Sequence, residues 1–327
     1  ERLRKGRLKF MRFDTRQRTS PSALFSKPKR RRFVRTFLAA ALLILAASLT
    51  SKGAELTSET LTAWDAYLQA QNARVAEYSS ATPFLWSDRS PDRLRRLHKG
   101  ETVVAPFGEN PHRVQQGLVH HWIGAVFLPG ARLNNVLSVV RDYGKYKDFY
   151  APNVIESHVF RQTDTEDTFS VRMLNKAVVG KFALDTEFQG SFRRLDDTKW
   201  YSVSSTTRVR DVENYGTPDE HESPSNIGRG LIWRLFSISR FEQRDGGVYV
   251  ELEAVALSRD IPGGLRWLVD PIVRRTSRDS MSVSLQKTAE AVLETSRAAK
   301  DKEGNTPATS TFSTSLSGAR VQRGLLP

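Results

Sequence analysis

The sequence contains no cysteine, which excludes a disulfide scaffold, a cysteine nucleophile and a zinc ribbon. It also contains no HExxH, P-loop or nucleophile-elbow motif, so it lacks the signatures of a zinc protease, a phosphate-binding NTPase and an α/β-hydrolase. Apolar residues make up 39% of the chain, which is low for a globular protein but above the level of a fully disordered one. We therefore expect a folded domain with polar extensions, and neither a cofactor nor a metal.

Basic charge is concentrated at the start of the chain. Residues 1–35 hold fourteen Lys or Arg and two acids, so this segment accounts for +12 of the formal net charge of +14. A nucleic-acid-binding domain keeps its basic residues on the folded body. Because the rest of the chain is close to neutral, the sequence argues against nucleic acid as a partner.

An export signal is predicted within residues 1–54. Arg30, Arg31 and Arg32 precede an apolar run at 37–49, and small residues follow it, which is the order of a secretory signal peptide. Thirteen residues of helix span about 20 Å, less than the ~30 Å hydrocarbon core of a bilayer. We expect an exported protein, periplasmic or secreted; an uncleaved membrane anchor is the alternative.

Residues 55–116 are predicted to be a helical extension and linker. Apolar side chains recur at helical spacing over 57–78, which predicts a helix there. A second short helix is predicted between Ser90-Pro91, residue types that often begin a helix, and Gly100, a residue type that often ends one. A short strand is expected at 101–105. The Ser/Thr/Gly-rich tail at 299–327 is predicted to be disordered.

Residues 117–298 carry the pattern of one domain. A strand at 118–127 is followed by a helix at 131–141 and a second short helix or turn at 142–150. Six further strands are predicted by β-branched and aromatic content and by turn residues, at 153–161, 167–175, 181–194, 199–211, 231–243 and 247–258. A long helix, which Pro271 should kink, then covers 264–298. Alternation in 182–192 predicts a sheet with one buried face and one wet face.

This order of elements predicts an α+β fold, in which a curved antiparallel sheet wraps around the long C-terminal helix. The chain resembles the START-like superfamily, the helix-grip fold that includes polyketide cyclases, coenzyme Q-binding proteins and lipid-transfer domains. The resemblance rests on the element order and on the segment from Asp142-Tyr143 through Pro152-Asn153-Val154 to Ser157. It implies that a ligand would lie between the sheet and the last helix.

One face of the long helix is a candidate ligand-binding surface. Its members follow helical periodicity: Ser277, Met281, Ser284, Leu285, Thr288 and Val292. A face that only fills a core would use Leu and Ile, whereas small hydroxyl residues and a methionine leave space. The alternative is a shallow core in which the hydroxyl groups bond to the helix backbone.

Catalytic candidates are few. His120 and His121 are neighbours on one strand, so they point to opposite faces and cannot share a metal. Glu251 and Glu253 share one face of the last strand; they are either solvated or, if the strand is inverted, an acid pair in the cavity. The long segment 213–230 is either a disordered surface loop or a gate to the cavity.

The sequence therefore predicts an exported, non-enzymatic START-like protein that binds a hydrophobic small molecule or lipid, with possible membrane contact, and that is monomeric. Two alternatives remain open. One is a cyclase- or lyase-type enzyme in the same fold. The other is an envelope-associated interaction protein with a filled core.

Overall fold

A computed structural model describes residues 54–80, 83–177, 180–229 and 231–304. The predicted signal or anchor at 1–54 lies outside the described residues apart from Ala54. Most of the predicted disordered tail at 299–327 also lies outside them.

The described strands pair antiparallel throughout. In chain order they are β1 (Ala54–Glu55), β2 (Val103–Pro106), β3 (His112–Val114), β4 (Gly117–Pro129), β5 (Val154–Gln162), β6 (Glu166–Ala177), β7 (Gly180–Arg194), β8 (Lys199–Glu213), β9 (His221–Glu222), β10 (Ile227–Gly228), β11 (Arg234–Arg244) and β12 (Gly247–Arg259). The main sheet follows the order β2-β4-β12-β11-β8-β7-β6-β5, with β3 beside β4 and β9 beside β8, while β1 pairs with β10.

Five α-helices accompany the strands in the described part of the chain: α1 (Ser58–Ser80), α2 (Pro91–His98), α3 (Leu133–Val140), α4 (Tyr146–Phe149) and α5 (Arg266–Gly304). The α5 helix contains Pro271 and runs past its predicted end at 298. The predicted α+β helix-grip architecture, with a large antiparallel sheet and one long C-terminal helix, is confirmed by this element order.

Local sequence explains where several elements turn. Asp245 and Gly246 connect β11 to β12 with φ values of 52° and 74°, the pair of positive values that a type I′ hairpin turn requires. Ser90 caps α2, because its Oγ accepts a hydrogen bond from the Arg93 backbone N–H at 3.4 Å. The hairpin turn and the start of α2 are therefore both set by the residue types at these positions.

The α5 helix packs closely against β4 at a glycine. A Cβ atom at Gly124 would lie 2.8 Å from Leu285 Cδ1 and 3.1 Å from Met281 Sδ, closer than real Cβ atoms pack. A side chain at this position would force the ends of the Leu285 and Met281 side chains to move, so glycine favours this close approach of helix and strand. The contact holds α5 over the β4 side of the sheet. In the described structure, strands β11, β8 and β7 are farther along the sheet and do not pack directly against the helix in this way.

The extension before residue 117 covers the opposite face of the sheet. Leu56 and Trp64 lie in a buried cluster with Val119 and Val255, and β2 extends the sheet by pairing with β4. The sequence predicts that one face of the sheet is exposed to solvent. This prediction is wrong for β4 and β12, because both of their faces are covered. The domain boundary at residue 117 stays a prediction, and these contacts favour one folding unit that begins before it.

Two buried carboxylates hold this extension in place. Glu251 and Glu253 are both 0% exposed and face away from α5, so both sequence-based alternatives, solvated acids and a cavity acid pair, are wrong. Glu251 accepts hydrogen bonds from the backbone N–H groups of Trp86 and Ser87, each at 2.8 Å. Burial raises the pKa of the Glu251 carboxyl, and these two hydrogen bonds oppose the rise.

Glu253 is the centre of a buried ionic network. His121 Nε2 donates to its Oε1 at 2.8 Å, and the guanidinium groups of Arg74 and Arg240 also bind the carboxylate. Tyr67 of α1 completes the network, because its hydroxyl lies 2.7 Å from His121 Nδ1. Burial by itself would raise the pKa of Glu253, but the His121 hydrogen bond and the two arginine charges outweigh it and lower that pKa to about 2.

We predict that Glu253→Gln lowers the free energy of unfolding by roughly 3–5 kcal/mol, because removing one partner of a buried ion pair leaves the others uncompensated. Urea unfolding followed by circular dichroism measures the change. Glu156→Gln, at a carboxylate 53% exposed beside Arg172, is the control and should shift stability by less than about 1 kcal/mol. Equal effects of the two substitutions would show that the network does not hold the extension.

Candidate functional site

The candidate site is a cavity of about 380 Å³ between the concave face of the sheet and α5. Strands β6, β7, β8, β11 and β12 form its floor, α5 one wall, and the segment around α3 and α4 another. Its lining is mainly apolar and aromatic, and the volume is in the range of small-molecule sites. The space exists because α5 packs on β4 at Gly124 and leaves the neighbouring strands uncovered.

Stacked aromatic rings form one end of the cavity. The Tyr143 and Phe169 rings lie 3.8 Å apart between centroids, and Phe188 stacks on the other side of Phe169 at 5.1 Å. The tyrosine hydroxyl groups here already have protein partners: Tyr143 donates to Asp167 Oδ2 at 2.9 Å, and Tyr146 donates to the Val140 carbonyl at 2.6 Å. This end therefore offers a ligand flat apolar surface rather than hydrogen bonds.

The predicted helix face lies only partly at the cavity. Ser284, Leu285 and Thr288 line it. Met281 is buried, 5% exposed, against Gly124 in the core, and Ser277 is half-buried outside the described lining. The α5 residues of the lining run from Ser280 to Thr288 and include Leu285, so the cavity and the β4 contact occupy the same stretch of helix, with Met281 packed on Gly124 of the strand. The Thr288 hydroxyl donates to the Ser284 carbonyl at 2.9 Å, the backbone bond that the shallow-core alternative expected.

Sequence reasoning missed four lining residues on the floor. Ser202 and Ser204 of β8 lie opposite Ser239 and Ser237 of β11, and all four line the cavity. We call these four residues the serine floor. Their alternate spacing in two predicted strands was visible in the sequence, but alternating polar residues are usually assigned to a solvated face.

The two neighbouring histidines point to opposite faces of the sheet, as predicted. His121 joins the Glu253 network, whereas His120 lies on the α5 side with its Nε2 2.9 Å from Ser258 Oγ. His120 is 7% exposed, and burial lowers its pKa to about 4 although the charge of Asp270 opposes the shift. Neither histidine is in the described lining of the cavity. Among the described residues, no group of three or more His, Asp or Glu could hold a metal ion.

The segment 213–230 is not a plain surface loop. His221–Glu222 pairs with β8, Ile227–Gly228 pairs with β1, and Ser223 is buried at 4% exposure. No residue of this segment is in the described lining of the cavity. The disorder interpretation is therefore wrong for its described part, and the gate interpretation has no support in the contacts.

Solved structures similar to this chain include a STAR-related lipid transfer protein fragment from Xanthomonas axonopodis, with 17% identity, a TM-score of 0.35, and coverage of 58% of this chain and 96% of that chain. The Zhui aromatase/cyclase from a Streptomyces species is 13% identical with a TM-score of 0.36 and coverage of 55% and 98%. Human STARD10 is 11% identical with a TM-score of 0.37 and coverage of 67% and 85%.

All three solved structures are less than 20% identical to this chain and have TM-scores below 0.5. Such values show only that the structures are similar and do not assign this chain to a family. The fold assignment therefore rests on the strand order and the terminal helix of this chain. No family model and no curated protein matches the chain. Among the described residues, no helix combines the length and apolarity needed to cross a bilayer.

We predict that His120 makes stability fall between about pH 6.5 and pH 4. The unfolded chain protonates this imidazole near pH 6.5 and the folded chain only near pH 4, so acidification favours unfolding in that window, by at most roughly 3 kcal/mol. His120→Gln removes the titration, and its unfolding free energy should vary less with pH. The solvent-exposed His158→Gln is the matched control. Parallel pH curves for all three proteins would contradict the prediction.

Proposed function

We propose that the protein binds a hydrophobic small molecule or lipid in the cavity between the sheet and α5. The observation that carries the proposal is the cavity itself: about 380 Å³ of space inside a folded domain, lined mainly by apolar and aromatic side chains. Ligand sites in proteins are concave, mainly apolar spaces of about 300–1,000 Å³. A space of this size is therefore a reason to expect an occupant.

The cavity favours binding over the two alternatives. A cyclase or lyase would need an acid or base at the reacting atoms. The described lining offers three tyrosines, whose hydroxyl groups already have protein partners, and Lys287 as the only residue charged at neutral pH. Its Nζ donates to Glu290 Oε2 at 2.8 Å. An interaction protein with a filled core would leave no such volume. A binding role without catalysis is the function that these contacts support best.

Membrane contact and a monomeric state are part of the proposal. Near its start, α5 exposes Trp267, which is 76% exposed, together with Arg274, Arg275 and Arg278. Tryptophan favours the membrane–water interface, and basic residues are attracted to anionic headgroups. Such a surface supports brief contact with a bilayer from which a lipid is taken or to which it is given.

We also propose that the protein is exported. The support is the sequence at 27–49, where a basic cluster precedes an apolar run. We predict that deleting 27–49 leaves the protein in the cytoplasm, because both the basic cluster and the apolar run that a signal needs are removed. Fractionation of cells that express the two chains measures the distribution. A chain that replaces 301–323 with an equally long Gly/Ser segment is the control. Unchanged fractionation of the deletion chain would refute the export signal.

The cavity interpretation is tested by Ser284→Leu. The leucine has room in an open cavity, so stability should hold or rise, while an occupant that loses about 1.4 kcal/mol of contact binds about tenfold more weakly. Thermal unfolding and the fluorescence of N-phenyl-1-naphthylamine, a neutral apolar probe, are measured on the same protein. Ser282→Leu is the matched control, because Ser282 is on the same helix but not in the described lining.

The opposite result would favour a filled core. In a packed interior the larger side chain costs roughly 1–3 kcal/mol of stability. Lost stability of Ser284→Leu with unchanged probe fluorescence would therefore contradict the proposed function.

A further inference from the structure

We infer that the cavity selects an uncharged amphipathic ligand, whose hydroxyl or carbonyl group hydrogen-bonds to the serine floor while its apolar part lies against the aromatic end. This inference rests on the proposed function and specifies the class of ligand. The serine floor consists of two cross-strand pairs, Ser202 with Ser239 and Ser204 with Ser237. The four serines therefore lie side by side on the floor of the cavity.

The serine hydroxyl groups of the floor lack the partners that the tyrosine hydroxyl groups of the cavity have. Ser202 is only 8% exposed, lines the cavity, and has no side-chain hydrogen bond within the described part of the chain. Ser204 Oγ is covered by protein atoms and has no hydrogen-bond partner among the described residues. A buried hydroxyl without a partner is costly, so a ligand that bonds to Ser202, or to Ser204 once that side chain turns toward the cavity, gains free energy here.

The tyrosine hydroxyl groups of the cavity show the contrast. Tyr143 and Tyr146 donate to Asp167 and to the Val140 carbonyl, and the Tyr150 hydroxyl lies 3.0 Å from Thr288 Oγ1. The tyrosine hydroxyl groups of the α3–α4 wall are thus already hydrogen-bonded to the protein. The hydroxyl groups of the serine floor are left to bond to a ligand. A ligand with one polar end would be oriented by this difference.

Charge in the lining argues against an anionic head group at the serine floor. The lining residues on the floor strands are all uncharged, and Lys287 of α5, the one cationic residue of the described lining, is paired with Glu290. Behind Tyr143 lies Asp167, a carboxylate 1% exposed that pairs with Arg141. A fatty-acid carboxylate on the serine floor would be desolvated beside uncharged residues, whereas an alcohol or an ester carbonyl has no charge to desolvate.

Gly190 lies beside the serine floor in the lining of the cavity. It is opposite Ser204 on β7, and a Cβ atom there would be 3.7 Å from Ser204 Oγ, an ordinary contact distance. The absence of a side chain at this position adds space next to the serine floor.

The test measures displacement of bound N-phenyl-1-naphthylamine by three ligands with the same chain length: 1-dodecanol, 1-dodecene and dodecanoate, which is ionised at about pH 8. We expect the alcohol to bind about fivefold more tightly than the alkene, the gain of about one neutral hydrogen bond, and the carboxylate to bind more weakly than the alcohol. Because this comparison uses the unaltered protein, it does not depend on the folding of a variant.

Variants then assign the effect to the floor. Ser204→Ala and Ser239→Ala should each weaken dodecanol binding about fivefold and leave dodecene binding within about twofold. Ser204→Thr, which keeps a hydroxyl, should retain most of the preference for the alcohol. Ser205→Ala is the matched control, because Ser205 is the next residue of β8 and is not in the described lining.

The outcomes separate this inference from the proposed function. If the probe binds and all three ligands displace it equally, or if the serine variants leave the preference for dodecanol unchanged, the inference is overturned while the cavity remains a binding site. If dodecanoate binds most tightly, an anion site replaces the one proposed here. If the probe does not bind at all, the proposed function fails and the inference fails with it.

Discussion

The approach of α5 to β4 at Gly124 is the contact on which the rest of the structure depends. Leu285 and Met281 occupy the space that a side chain at this position would need. The helix is thereby held over the β4 side of a sheet that is too wide for one helix to cover. The uncovered strands must either collapse onto the helix or enclose a cavity, and the stacked aromatic rings around Phe169 support the second outcome.

On the other face of the same sheet, charged groups are buried and need partners. Two glutamates on β12 are buried there, and an unpaired buried carboxylate is strongly unfavourable. The extension before residue 117 resolves this, because it brings Arg74 to Glu253 and the Trp86 and Ser87 backbone N–H groups to Glu251. Its Tyr67 hydroxyl also lies against His121, which donates to Glu253. The extension and the sheet therefore depend on each other, although the extension looks like an appendage in the sequence.

Local patterns predicted the elements well and their surroundings poorly. The alternation of the strands, the Asp245-Gly246 turn and the Ser90 cap are set by residues close in sequence, so the sequence alone revealed them. The burial of Glu253 depends on Arg74, which is 179 positions away, and on His121, which is 132 positions away. No local pattern reports such a partner, and an acid in a strand is therefore assigned to solvent by default.

The same limit applies to the site. Ser284, Leu285 and Thr288 were found because helical periodicity connects them to one face. The serine floor was missed because an alternating serine in a strand looks identical whether that face meets water or a ligand. Only the neighbours distinguish the two cases: the tyrosine hydroxyl groups of the cavity already have protein partners, while buried Ser204 Oγ has none within the described structure. A buried unpaired hydroxyl next to a cavity is therefore where the proposed ligand would complete the hydrogen bonding.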